Sequence, residues 1–138
     1  MKEVILEGGC HCGAIRYRIE GPTPETGYCH CRDCQQTSGA PAQVWMDVET
    51  DNFKITKGTP SIYESSETGR RHFCSKCGSQ LFYANINEPD LVNPNAGCLD
   101  NPNLVQPTSH IWTDRQLDWF KFDDKLPRYA RDMPETNK

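Results

Sequence analysis

Seven of the chain's eight cysteines fall into three short clusters, Cys10-His11-Cys12, Cys29-His30-Cys31-Arg32-Asp33-Cys34 and Cys74-Ser75-Lys76-Cys77, and no other feature limits the possible folds as strongly. A thiolate trio at C-x-C-x-x-C spacing can close on one tetrahedral metal and leave a corner vacant, whereas the two outer pairs together supply the four thiols of a closed site. Structural zinc sites are usually closed, and catalytic ones keep a position for water or substrate. Spacing alone does not decide which pairs share an ion, since the two C-x-C pairs could also share one. The outer clusters are each followed by glycine, Gly13 and Gly78, which tolerates the left-handed backbone that turns amides toward a thiolate. Cys34 is followed instead by Gln35-Gln36-Thr37-Ser38-Gly39, which reads as one helical turn stopped by glycine.

Bridges are disfavoured by the expected compartment. Val4-Ile5-Leu6 before Glu7 falls far short of the roughly 7–15 apolar residues of a signal peptide, and no apolar run approaches the ~20 of a membrane span. The expectation is a cytoplasmic protein with no membrane partner, where clustered cysteines favour metal or redox chemistry. The formal charge of −4 carries none of the basic footprint of a nucleic-acid binder. Seven thiolates on two Zn²⁺ ions would make the chain more acidic still, so an anionic small molecule would need a local arginine or lysine.

Between the clusters the pattern is that of short strands. Residues 2–8 and 13–20 read as strands, the second with Ile15, Tyr17 and Ile19 alternating against Arg16, Arg18 and Glu20, so the first cysteine pair sits in the turn between them. Gly21-Pro22-Thr23-Pro24 breaks the pattern and leaves the trio on a loop. Residues 42–48 resume as strand with Val44, Met46 and Val48 on one face, followed by strands at 53–56, 61–65, 70–74 and 81–85. Residues 91–99 are interrupted by Pro94, which confines them to an edge or an irregular path, and 109–113 form a last short strand. No stretch carries sustained helical periodicity. The fold class is mainly β, with antiparallel sheets packed face to face and zinc-binding knuckles at one end, in a single domain over residues 1–132 with a frayed tail at 133–138.

The cysteine order, with Ser38-Gly39 after the trio, Gly97-Leu99-Asp100, and Ser109-His110-Ile111-Trp112 near the end, resembles the glutathione-dependent formaldehyde-activating enzyme family, whose domain is shared with centromere protein V. The resemblance spans about residues 5 to 120. It implies an Mss4-like β fold with two zinc ions per chain, a structural one on Cys10, Cys12, Cys74 and Cys77 and a catalytic one on Cys29, Cys31 and Cys34. The implied reaction is that of a carbon–sulfur lyase joining glutathione and formaldehyde into S-(hydroxymethyl)glutathione. Glutathione is anionic and needs a cation; Arg32 inside the trio is the first candidate, followed by Lys76, Arg70 and Arg71. A zinc-stapled protein-binding module and a thiol or zinc sensor are the rival readings.

Residues beside the clusters divide less clearly. His30 lies next to the open corner and is a candidate proton carrier, while His11 reads as a surface residue and His110 as a satisfied structural one. Cys98 reads as a small buried apolar residue; if it completed the trio's tetrahedron, the enzyme reading would fail. Arg70-Arg71 beside a turn reads as a solvated face, and Trp45, Trp112 and Trp119 as core or rim. Asp123-Asp124 has no partner of catalytic type nearby in sequence and receives no role.

Overall fold

Short strands follow one another from residue 3 to residue 111 because apolar and polar residues alternate in runs of no more than seven, broken by glycine, proline and asparagine. The computed structural model describes residues 2–134. It begins with strands β1 (Glu3–Gly9), β2 (Arg16–Pro22) and β3 (Glu25–Cys29), then helix α1 (Arg32–Ser38). The strands β4 (Gln43–Glu49), β5 (Phe53–Lys57), β6 (Ser61–Tyr63), β7 (Gly69–Phe73), β8 (Gln80–Asn85), β9 (Leu91–Pro94) and β10 (His110–Ile111) follow.

These strands form two sheets, one ordered β1-β2-β5 and the other β10-β3-β4-β9-β8-β7-β6. Leu6, Tyr17 and Ile19 on the small sheet meet Met46, Val48, Leu81 and Val92 on the large one in a single apolar core. Both sheets thus bury one face against each other, the arrangement that the alternation in β2 and β4 demands. Cys10 and Cys74 sit at the edge of the same core. The other face of β4 presents Gln43, Trp45 and Asp47, none of them buried.

Several expectations are corrected. Residues 25–29 form β3, although the Gly-Pro-Thr-Pro run before them signals a break, because Thr26 and Cys29 are buried and the strand pairs along its whole length with β4. β3 also pairs parallel with β10, so the large sheet is mixed and not purely antiparallel. β9 lies inside the sheet between β4 and β8. Pro94 is tolerated there as its last residue, and Asn95 supplies the next amide to Leu81. The tail expected over 133–138 lies mostly outside the described residues; Met133 is buried.

Candidate functional site

Two turns bring four thiols together. Cys10 and Cys12 lie between β1 and β2, Cys74 and Cys77 between β7 and β8, and all four Sγ atoms are within 4.8 Å of one another. The Cys10–Cys12 and Cys12–Cys74 sulfur separations are 3.6 and 3.8 Å. These are far from the roughly 2.05 Å of a disulfide and match the edge of about 3.8 Å that a tetrahedron with ~2.3 Å metal–sulfur bonds requires. Gly13 and Gly78 take φ values of 81° and 82°, and the turns they permit let the amides of Ile15 and Cys77 donate to Cys10 Sγ and Cys74 Sγ at 3.2 and 3.4 Å. The Ser79 hydroxyl, 3.3 Å from Cys77 Sγ, helps hold that thiol down at about 5. The donor set fits zinc.

The trio does not lie on a loop, as the sequence suggests, but across a strand–helix junction. Cys29 ends β3, Cys31 caps α1 with its Sγ accepting from the Cys34 amide at 3.3 Å, and Cys34 sits in the helix's first turn. The three Sγ atoms again lie within 4.8 Å of one another, and no fourth Cys, His, Asp or Glu donor among the described residues joins them. Cys31 is driven down to about 2, chiefly by the neighbouring Cys29 and Cys34 thiols, with the Cys34 amide and the Arg71 charge adding to this. The same contacts and burial push Cys29 up. Three thiols that cannot all keep their protons comfortably in one small space make a ready ligand set for a divalent ion.

Cys98 stays out of both clusters; its Sγ donates to Gln80 O at 3.2 Å, and burial pushes it up to about 11. Arg71 corrects the expectation of a solvated pair. It is 7% exposed, with Nη1 donating to Gln43 Oε1 at 3.2 Å and Nη2 lying 3.9 Å from Cys34 Sγ. Arg70 is the outward member, bonded to backbone carbonyls of the preceding turn.

The trio opens on a cavity of about 520 Å³, within the ~300–1,000 Å³ range of small-molecule sites. Its floor is the outward face of β4, β9 and β8, where Trp45, Asp47 and Tyr83 stand, and Trp112 and Met133 contribute from the C-terminal segment. Trp45 and Trp112 therefore wall the cavity, while Trp119 is 72% exposed. Trp112 takes a left-handed backbone, φ 56° and ψ 40°, that non-glycine residues adopt at a cost, and Arg131 lies over its ring at 5.6 Å. Arg32 and Arg115 bring positive charge to the wall; Asp33, Asp47, Glu88 and Asp132 bring negative charge. Asn93 Nδ2 holds Asp47 Oδ1 at 2.8 Å.

Behind the trio lies an arrangement that the sequence conceals. His30 and His110 are both 0% exposed; His30 Nε2 is 2.9 Å from His110 Nδ1, and His110 Nε2 is 2.8 Å from Asp124 Oδ2. Asp124 thus has a partner after all, fourteen residues away in sequence. Desolvation pushes its carboxyl up, but the hydrogen bond from His110, the Leu126 amide and the His110 and Arg128 charges together hold it below its ordinary value. Burial and His110 push His30 down to about 4, so its ring is neutral near pH 7, and it does not contribute to the cavity wall.

Both the sequence and the fold are similar to those of known proteins. The family model described as glutathione-dependent formaldehyde-activating enzyme matches residues 5–115. A Halomonas elongata protein, provisionally named as a glutathione-dependent formaldehyde-activating enzyme, is 31% identical over 132 residues, 88% of this chain and 83% of its own. An uncharacterised lyase of Schizosaccharomyces pombe is 24% identical over 126 residues, 91% of each chain. The crystal structure of a Rhodobacter sphaeroides protein, 20% identical, shares the fold with a TM-score of 0.60 over 89% of this chain and 98% of that one. With a family model covering most of its length and a relative of this similarity, the chain belongs to the glutathione-dependent formaldehyde-activating enzyme family.

Proposed function

We propose that the chain is a zinc-dependent carbon–sulfur lyase that adds glutathione to formaldehyde, or reverses that addition, at the trio. The observation that carries this reading is three converging thiols with no fourth protein donor among the described residues, facing a cavity large enough for a tripeptide. Cys29, Cys31 and Cys34 would hold a catalytic zinc, and Cys10, Cys12, Cys74 and Cys77 a structural one, two ions per chain. When bound at an open three-thiolate site, zinc stabilises an incoming thiol as its thiolate and can polarise a carbonyl oxygen.

The chain's own residues supply the rest. Arg32, exposed at the start of α1 and held by Gln35 Oε1 at 2.6 Å, and Arg115 offer cations for the carboxylates of glutathione. Asp47 and Glu88, farther along the trough, match its ammonium group. Trp45, Tyr83 and Trp112 exclude water from the bound substrate and hold the reacting thiol close to the aldehyde. In the forward direction the sulfur–hydrogen bond breaks, a sulfur–carbon bond forms, and the carbonyl oxygen takes up a proton to give the hydroxymethyl group. A reducing cytoplasm, where glutathione is abundant and thiols stay free, suits this chemistry.

The test is exchange spectroscopy by NMR on glutathione and formaldehyde with zinc-loaded protein. Wild-type protein should accelerate interconversion above the uncatalysed rate, and Cys31→Ser should abolish the acceleration while remaining folded. No acceleration by the two-zinc protein would rule out the substrate assignment.

A further inference from the structure

The residue between two of the trio's thiols is fastened from three sides. His30 N–H donates to Ile111 O at 3.1 Å, its carbonyl accepts from Gln35 Nε2 at 2.8 Å, and its ring meets His110. In an extended segment neighbouring side chains alternate, so a ring anchored on one side fixes where Cys29 and Cys31 point on the other. The protons of the chain follow from its end. A carboxylate only accepts, so His110 donates from Nε2 to Asp124; its Nδ1 shares the remaining hydrogen bond with His30 Nε2. His30 Nδ1 is left buried without a partner among the described residues. A phenylalanine would fill the space between Tyr28, Phe120 and Phe122 without that cost. The imidazole is explained by what it is bonded to.

We infer that Asp124 and His110 are positioning residues for the trio: through His30 they set the geometry in which Cys29 and Cys31 face the metal. This rests on the reading of the trio as a metal centre. It also requires that the four-cysteine centre be indifferent to Asp124, since that centre hangs on the β1–β2 and β7–β8 turns, whereas the segment carrying Asp124 bonds to His110 of β10, the strand that pairs with β3. The molecule carries its own reference site.

The experiment compares wild type with Asp124→Asn and Asp124→Leu, a partly exposed position where the fold should survive. Cobalt-loaded proteins are followed by ligand-field absorption and by release of each ion to a chelator, and the purified proteins by the alkylation rates of Cys29 and Cys31 against Cys10 and Cys12. Asp124→Leu should speed release from the trio by roughly ten- to a hundredfold and shift its absorption, while the four-cysteine centre stays within about twofold. Asp124→Asn, whose Oδ1 still accepts, should fall between. Equal losses at both centres in step with a lower melting temperature, or no change at either, would overturn the inference. If wild type retains only one ion, the metal reading of the trio fails instead; the inference then stands or falls on whether Asp124→Leu alters alkylation at Cys29 and Cys31 alone.

Discussion

Arg71 is a buried cation held by a glutamine oxygen, the Tyr83 ring at 5.1 Å and Cys34 Sγ at 3.9 Å. A buried charge needs compensation, and Cys31, driven down to about 2 chiefly by its neighbouring thiols and also by the Arg71 charge, is the anion that provides it here. Arg71→Met should therefore weaken ion retention at the trio by about tenfold, measured by chelator competition, and leave the four-cysteine centre alone. An unchanged trio would mean that the guanidinium is balanced elsewhere. His30 makes a second test. Its value in the fold, about 4, lies below the ordinary 6.5, so the unfolded chain takes up the proton first. Its contribution to stability is whole above pH 6.5 and drains away as the pH falls toward 4, by at most about 1.4 kcal/mol per pH unit. Imidazole nitrogen shifts should accordingly report a neutral His30 at pH 5.5; a cationic ring there would contradict the buried chain.

Among the elements, the cysteine turns do unequal work. Cys10 and Cys74 are 6% and 2% exposed, belong to the apolar core, and tie the hairpin of the small sheet to that of the large one. The trio joins only β3 to α1. Cys74→Ser should hence destabilise the domain by several kcal/mol, since structural zinc in small domains is worth of order 10 kcal/mol, whereas Cys31→Ser should cost one ion and little melting temperature. Calorimetry with metal analysis separates the two, and equal losses would make the trio structural as well. This division was legible in outline: the spacing isolates a trio and two pairs, and the glycines after Cys12 and Cys77 foretell their turns. The strand leading into the trio was hidden, because Pro22 and Pro24 speak locally for a break while pairing with β4 decides otherwise. Gln43, Trp45 and Asp47 could be assigned to the face opposite Val44, Met46 and Val48, but alternation does not say whether that face meets water or a cavity. The bond from His110 to Asp124 depends on the C-terminal segment folding back, which no local pattern encodes.

The whole molecule sets the field that a substrate crosses. Its formal charge is −4, thiolate–zinc centres would add to that, and the cavity wall carries Asp33, Asp47, Glu88 and Asp132 against Arg32 and Arg115. On the proposed function, glutathione, itself anionic, would approach a like-charged surface and be drawn in only at short range by the arginines. Salt reaches the first effect more than the second, because at 0.1 M the screening length is about 10 Å, longer than a contact and shorter than the molecule. Raising ionic strength from about 10 to 150 mM should then increase kcat/KM for glutathione by roughly twofold and decrease it for a cationic thiol such as cysteamine, with kcat little changed. Stopped-flow assays across a salt series with both thiols decide the matter. If glutathione instead slows with salt, the arginines beside the trio govern its approach, and Arg115→Gln should then abolish the salt dependence while Asp47→Asn leaves it intact.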